Sequence, residues 1–221
     1  MSLAENLKKV EERIVRACGE AGRRRDEVTL IAVSKVFPAD RLMEAYEAGC
    51  RDFGENYVQE FEGKWPLVNH LAGARFHLIG HLQSNKSRKA GEIFHCIQTV
   101  DTPKLARRLN ELGRPLDVFL EVKLSGEEAK EGAAPEEIPA LIDAVAGCEH
   151  LRLRGLMTMP PWSEDAEQSR PYFRRLSELG RQHGLAELSM GMSHDFEVAI
   201  AEGATLIRVG TALFGRRVRK T

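Results

Sequence analysis

The sequence has no CxxC pair, no apolar run long enough for a membrane span and almost no net charge. Each lack removes a class of function. Cys18, Cys50, Cys96 and Cys148 are scattered along the chain, which suits neither a zinc site nor a small disulfide scaffold. Free thiols in a reducing compartment are the economical reading. Basic residues number 32 and acidic residues 33, for a formal charge of −1. No global field therefore draws the protein to nucleic acid or anionic lipid. Arg216, Arg217, Arg219 and Lys220 form a basic end, read as a solvated tail. The N-terminal stretch MSLAENLKKVEER is amphipathic and carries acids, so it is no secretory signal. Nothing approaches the roughly 20 apolar residues that cross a bilayer. A cytoplasmic location is expected.

What is present is a repeating unit. The 221 residues are 43% hydrophobic and 29% charged, ordinary for a globular protein, and the length suits one domain over 1–221. Leu3, Leu7, Val10, Ile14 and Ala17 mark one helical face. VTLIAV (28–33) then reads as a strand buried on both sides, as in parallel sheets. Further strands are predicted at 52–54, 76–79, 97–100, 117–122, 151–155, 188–190 and 206–209. Helices are predicted between them, at 41–48, 57–67, after 85, after Pro103, at 135–146, 166–183 and 195–202, with a last one near Ala212. Eight strands alternating with helices predict an α/β fold, a (β/α)8 TIM barrel with an extra N-terminal helix. A doubly wound open sheet would usually show GxGxxG after its first strand, and that motif is absent there.

Barrels of this kind collect chemistry at the carboxyl ends of their strands. Lys35 follows the first strand, where a lysine is seldom placed without purpose. It could snorkel to solvent, or act as a nucleophile if desolvated or placed near a cation. The loops after the seventh and eighth strands carry Gly191 with Ser193, and Gly210 with Thr211. Singly these are ordinary turn glycines and caps. Together they favour a phosphate site, where backbone approaches an anion closely and helix starts offer N–H groups. A lysine facing phosphate is what a pyridoxal phosphate imine requires. His77 and His81 straddle a strand and its loop, so zinc ligation is not expected. His77 reads as a satisfied interior residue and His81 as a hydrogen-bonding partner near the mouth.

IAVSK (31–35), FGENYVQE (53–60), FHLIGHLQSNK (76–86), GLMTMPP (155–161), LSMGMSHDFEVAI (188–200) and IRVGTALFG (207–215) together resemble the pyridoxal phosphate homeostasis protein family, YggS in bacteria and PROSC in animals. The resemblance runs in order over about 28–215 and implies a fold-type III barrel like the N-terminal domain of alanine racemase. It also implies pyridoxal 5'-phosphate as cofactor. On that similarity Lys35 would form the imine, and Ser193, Gly210 and Thr211 would hold the phosphate with a backbone contact from Met192. Arg208 would face the pyridine nitrogen, while Asn56, Met157 and His81 would line the ring pocket. Val36 and Phe37 depart from the family, which often has Thr and Lys before Pro38.

The resemblance further implies a non-catalytic carrier that buffers the cofactor and hands it to apo-enzymes. Arg208 fits that task, because a permanent charge opposite the ring nitrogen disfavours a protonated ring and weakens carbanion chemistry. Racemases of similar fold take a catalytic tyrosine from an added domain and a partner subunit. Here Tyr46, Tyr57 and Tyr172 have no evident place over the imine, and the chain ends soon after the eighth strand. An amino-acid racemase of weak activity and a cofactor-free Schiff-base lyase acting on a sugar phosphate are the rivals. A monomer is expected.

Overall fold

The computed structural model describes residues 2–126 and 131–215; the basic end lies outside them. The strands are β1 Thr29–Val33, β2 Asp52–Glu55, β3 Arg75–Leu78, β4 Cys96–Val100, β5 Leu116–Glu121, β6 Leu151–Met157, β7 Glu187–Met192 and β8 Leu206–Val209. They pair in chain order, all parallel, and β8 closes on β1 with Ile31 beside Arg208. This is the expected barrel. Closure removes every sheet edge, and it brings the ends of β1, β7 and β8 together.

Helices alternate with the strands: α2 Ala39–Glu47, α3 Val58–Val68, α4 Ser87–Ile93, α5 Pro103–Asn110, α6 Ile138–Ala146, α7 Arg170–Gln182, α8 Phe196–Ala201 and α9 Thr211–Phe214. Thr102 caps α5 by accepting from the Leu105 N–H, with Pro103 in the first turn. Both residues suit those positions, since proline has no N–H to leave unpaired there. Three predicted helix starts, before α4, α6 and α7, are 3₁₀ turns instead.

The extra N-terminal helix, α1 Leu3–Glu20, opens with a capping box between Ser2 and Glu5 and buries Leu3, Val10, Ile14, Ala17 and Cys18. It braces the loops after β7 and β8. Arg13 pairs with Glu197 at 2.6 Å and reaches the Ser193 carbonyl at 3.3 Å. Asn6 donates to the Leu213 carbonyl at 2.8 Å.

Inside the barrel, Ile31, Cys96, Phe119, Met157 and Leu206 form an apolar layer separate from the outer core of strands against helices. β6 continues two residues past its predicted end, because Glu121 and Met157 still pair and the Val122 N–H reaches the Met157 carbonyl at 2.8 Å. β7 likewise continues past Met190.

Gly80 lies where the chain leaves β3 and crosses the backbone of Asn56, and a Cβ there would overlap the Asn56 carbonyl oxygen. Backbone cannot give way as a flexible side chain does. Gly80→Ala should therefore lower stability by about 2 kcal/mol, read as a lower urea midpoint at unchanged slope.

Candidate functional site

Lys35 sits on a turn that is held from behind. Val36, the next residue, has φ 64°, a left-handed conformation that costs a β-branched residue of the order of 1–3 kcal/mol. Glu60 accepts the Val36 N–H at 2.6 Å. The Lys64 ammonium donates to the Ser34 carbonyl at 3.1 Å, to Glu55 at 2.9 Å and to Glu60 at 2.6 Å. The Ser34 hydroxyl donates to the same Glu55 oxygen at 2.7 Å. Glu55 and Lys64 are buried. Burial raises the Glu55 carboxyl's proton affinity, and Lys64 and Ser34 oppose that. From the front, Phe37 stacks on Phe214 of α9 at 5.1 Å.

Lys35 opens into a cavity of about 260 Å³ at the carboxyl ends of the strands, lined also by Asn56, Met192, Ser193, Arg208, Gly210 and Thr211. Seven of the nine residues singled out in the sequence thus share one wall. The Ser193 hydroxyl oxygen accepts from the Gly210 N–H at 3.1 Å and from Ala212 at 3.4 Å, tying the two glycine loops together. Asp195 holds the first loop: it accepts the Met192 N–H at 2.7 Å and the Ser169 hydroxyl at 2.8 Å. Met192 lines the cavity, but its N–H is already engaged by Asp195. Gly191 has φ 89°, and a Cβ would overlap Ala199. Its task is packing against α8 rather than approach to a ligand.

Arg208 is buried, and burial lowers its pKa to about 10, while Asp195 and Glu121 oppose the shift. Its guanidinium donates to the Ser189 hydroxyl at 2.7 Å and the Thr158 carbonyl at 2.8 Å. Ser189 donates onward to Gln98 at 2.6 Å. The Gln98 amide meets His77 Nδ1 at 3.1 Å, and His77 Nε2 meets Asp52 at 2.9 Å. A hydrogen-bonded file thus runs down the barrel interior from the mouth. His77 is the satisfied interior histidine expected.

Two residues expected on the ring pocket lie elsewhere. Met157 belongs to the interior apolar layer, because β6 is longer than predicted and keeps it facing the barrel axis. Met159, two residues on, lines the cavity in its place. His81 leaves Gly80 towards β4 and sits 3.4 Å from Glu131 and 4.0 Å from Asp101, off the cavity wall. Trp162, His194 and Phe37 line the cavity without having been anticipated. Periodicity carries no signal for such loop residues.

Glu121, the last residue of β5, was also missed. It is buried, and its carboxyl is pushed up to about 7 by burial, with Asp101 and Glu131 adding to the effect and Arg208 opposing it.

The profile of the alanine racemase N-terminal domain matches residues 3–218. The pyridoxal phosphate homeostasis protein of Pseudomonas aeruginosa is 48% identical over 98% of this chain and 96% of its own. The Escherichia coli protein of that name is 42% identical over 97% of each. The chain belongs to the pyridoxal phosphate homeostasis proteins, within the alanine racemase N-terminal domain family. Among solved structures, Synechococcus elongatus PipY with pyridoxal phosphate bound superposes with a TM-score of 0.84 at 40% identity, covering 97% of this chain and all (100%) of that one. Alanine racemase of Corynebacterium glutamicum, at 16% identity and a TM-score of 0.67, shares the fold; the match covers 99% of this chain and 62% of the racemase.

Two expectations follow from the buried charges. Lys64→Met leaves Glu55 without its cation and should cost about 3–5 kcal/mol, whereas adding Glu55→Gln should recover part of the loss in the same denaturation assay. For Glu121 the folded pKa of about 7 stands above the ordinary 4.5. The stability it contributes below that ordinary value is lost as pH rises through about 7, because the unfolded chain releases the proton first. Glu121→Gln should therefore raise Tm at about pH 8 and change it much less near pH 5. Equal shifts at both values would contradict the assignment.

Proposed function

We propose that this chain binds pyridoxal 5'-phosphate through Lys35 and carries it without robust turnover. The observation that bears most weight is the single cavity joining Lys35, Arg208 and the Ser193–Gly210–Thr211 loops. The homeostasis name of its relatives and the cofactor bound in PipY support the same reading. The residues fit the group. Asn56, on the cavity wall, has a buried Oδ1 with no hydrogen-bond partner among the described residues, the kind of unmet polar atom that a ligand satisfies. Ser193, Gly210 and Thr211 would hold the phosphate. The bound cofactor supplies an aldehyde for an imine with the Lys35 amine and a ring that can accept electrons.

Arg208 supports carriage over catalysis. Its guanidinium remains charged at neutral pH with a pKa of about 10, and such a charge disfavours a proton on a ring nitrogen beside it. None of the three tyrosines lines the cavity; the Tyr46 hydroxyl donates instead to the Ala72 carbonyl at 2.9 Å. The four cysteines are free and buried, which suits a reducing, cytoplasmic setting. No helix among the described residues is long and apolar enough to cross a membrane. We take apo-enzymes as the recipients and a monomer as the working form.

Purified protein loaded with the cofactor should show the visible absorbance of an imine, and Lys35→Ala should abolish it. Mixed with an apo-enzyme, the loaded protein should transfer its cofactor faster than it releases it to an aldehyde scavenger. Sustained interconversion of L- and D-amino acids that depends on Lys35 would replace the carrier reading with the racemase.

A further inference from the structure

A second cavity, of about 330 Å³, adjoins the first, and the two share Met159, Trp162 and Met192. Glu121 lines it and is only 4% exposed. Among the described residues, its buried Oε2 meets no hydrogen-bond donor. A buried carboxylate oxygen without a donor is costly, so a native site that keeps one invites a ligand that donates. The surroundings set the sign of that ligand. Asp101 and Glu131 both act on Glu121 as like charges, and Arg208 is the opposing cation. Arg208 spends its hydrogen bonds on Ser189 and Thr158. His81 lies against Glu131 and Asp101, and Lys123 also lines the cavity.

We propose that this second cavity binds a primary ammonium group on the Glu121 carboxylate, beside the cavity that holds Lys35. An ammonium has three donors and no acceptor, so it meets Oε2 with both a hydrogen bond and a charge. A neutral hydroxyl would supply only the first. The walls suit an alkyl stem: Met159 is 42% exposed, and Trp162, 75% exposed, offers an indole face that attracts cations as well as carbon. No cluster of three metal-ligating side chains occurs among the described residues, so an amine suits the site better than a metal ion. The carrier reading gives the site its purpose, because an amine seated there adjoins the lysine that tethers the aldehyde. Binding itself does not depend on that reading.

The test uses the full chain without cofactor and n-butylammonium as probe, titrated by calorimetry at about pH 8, where Glu121 is ionised and the probe still charged. Saturable binding is expected, weakened roughly tenfold or more by Glu121→Gln, with n-butanol binding at least that much more weakly than the ammonium. Binding that is absent, unaltered by Glu121→Gln or equalled by n-butanol would overturn the proposal. Nα-acetyl-lysine methylamide and alanine amide, run in parallel, assign the preferred ammonium to a lysine side chain or to an α-amino compound by whichever binds tighter. Cofactor uptake by the wild type, followed by visible absorbance, is a separate readout: its failure removes the carrier reading and leaves the ammonium site standing.

Discussion

The barrel is organised around a buried guanidinium. Arg208 lies inside the ring of strands, and an unpaired charge there would be prohibitively costly. Its stability comes from placed partners: the Ser189 hydroxyl, the Thr158 carbonyl, and the charges of Asp195 and Glu121. Those partners come from β5, β7 and the loops after β6 and β7, so they are brought together only when the barrel closes. Ser189 is itself held by Gln98, Gln98 by His77, and His77 by Asp52. A half-satisfied buried network is worse than an apolar one, and this file is satisfied along its length. Arg208 is fixed in place before any ligand arrives.

The lysine turn is built on the same principle with opposite means. Val36 is held in a conformation its side chain resists, and the Glu55, Glu60 and Lys64 cluster holds the surrounding backbone there. Lys64 is on the inner face of α3 at 7% exposure, so the helix after β2 supports the residue after β1. α1 does the corresponding work on the far side, where Arg13 and Asn6 reach the loops after β7 and β8. Elements outside the cavity thus set its shape, and the residues that touch a ligand are only its inner surface.

The alternation of apolar runs with helical periods made the barrel legible, because parallel strands buried on both faces leave continuous hydrophobic stretches such as VTLIAV. Lys35, Ser193, Gly210 and Thr211 were legible at strand ends, Asn56 and Arg208 only through the family resemblance, and the fold brings them together. The misplacement of Met157 has a simple cause. The strand was expected to end at residue 155, whereas pairing with β5 carries β6 two residues further and Met157 joins the interior apolar layer. Gln98, Ser189 and Glu121 were not legible, since a polar residue within a strand pattern reads as a solvent-facing position. Only closure of the barrel shows that it faces other polar groups. Lys64 was hidden in the same way, as one charge among many on a helix.

Arg208 and Glu121 also divide the mouth between them. A charged guanidinium beside a ring nitrogen withholds the electron sink that carbanion chemistry needs. A carboxylate with an unmet oxygen attracts the group that can take an aldehyde away from a lysine. On the proposed reading, the first weakens carbanion chemistry on a bound cofactor, and the second favours its transfer to an incoming amine. Neither charge could be exchanged for the other without reversing the site's bias. A cationic residue at 121 would repel the amine, and an acid at 208 would favour the protonated ring and the chemistry that follows from it. On the proposed reading, the two buried charges, placed on different strands of one barrel, both favour holding and release over catalysis.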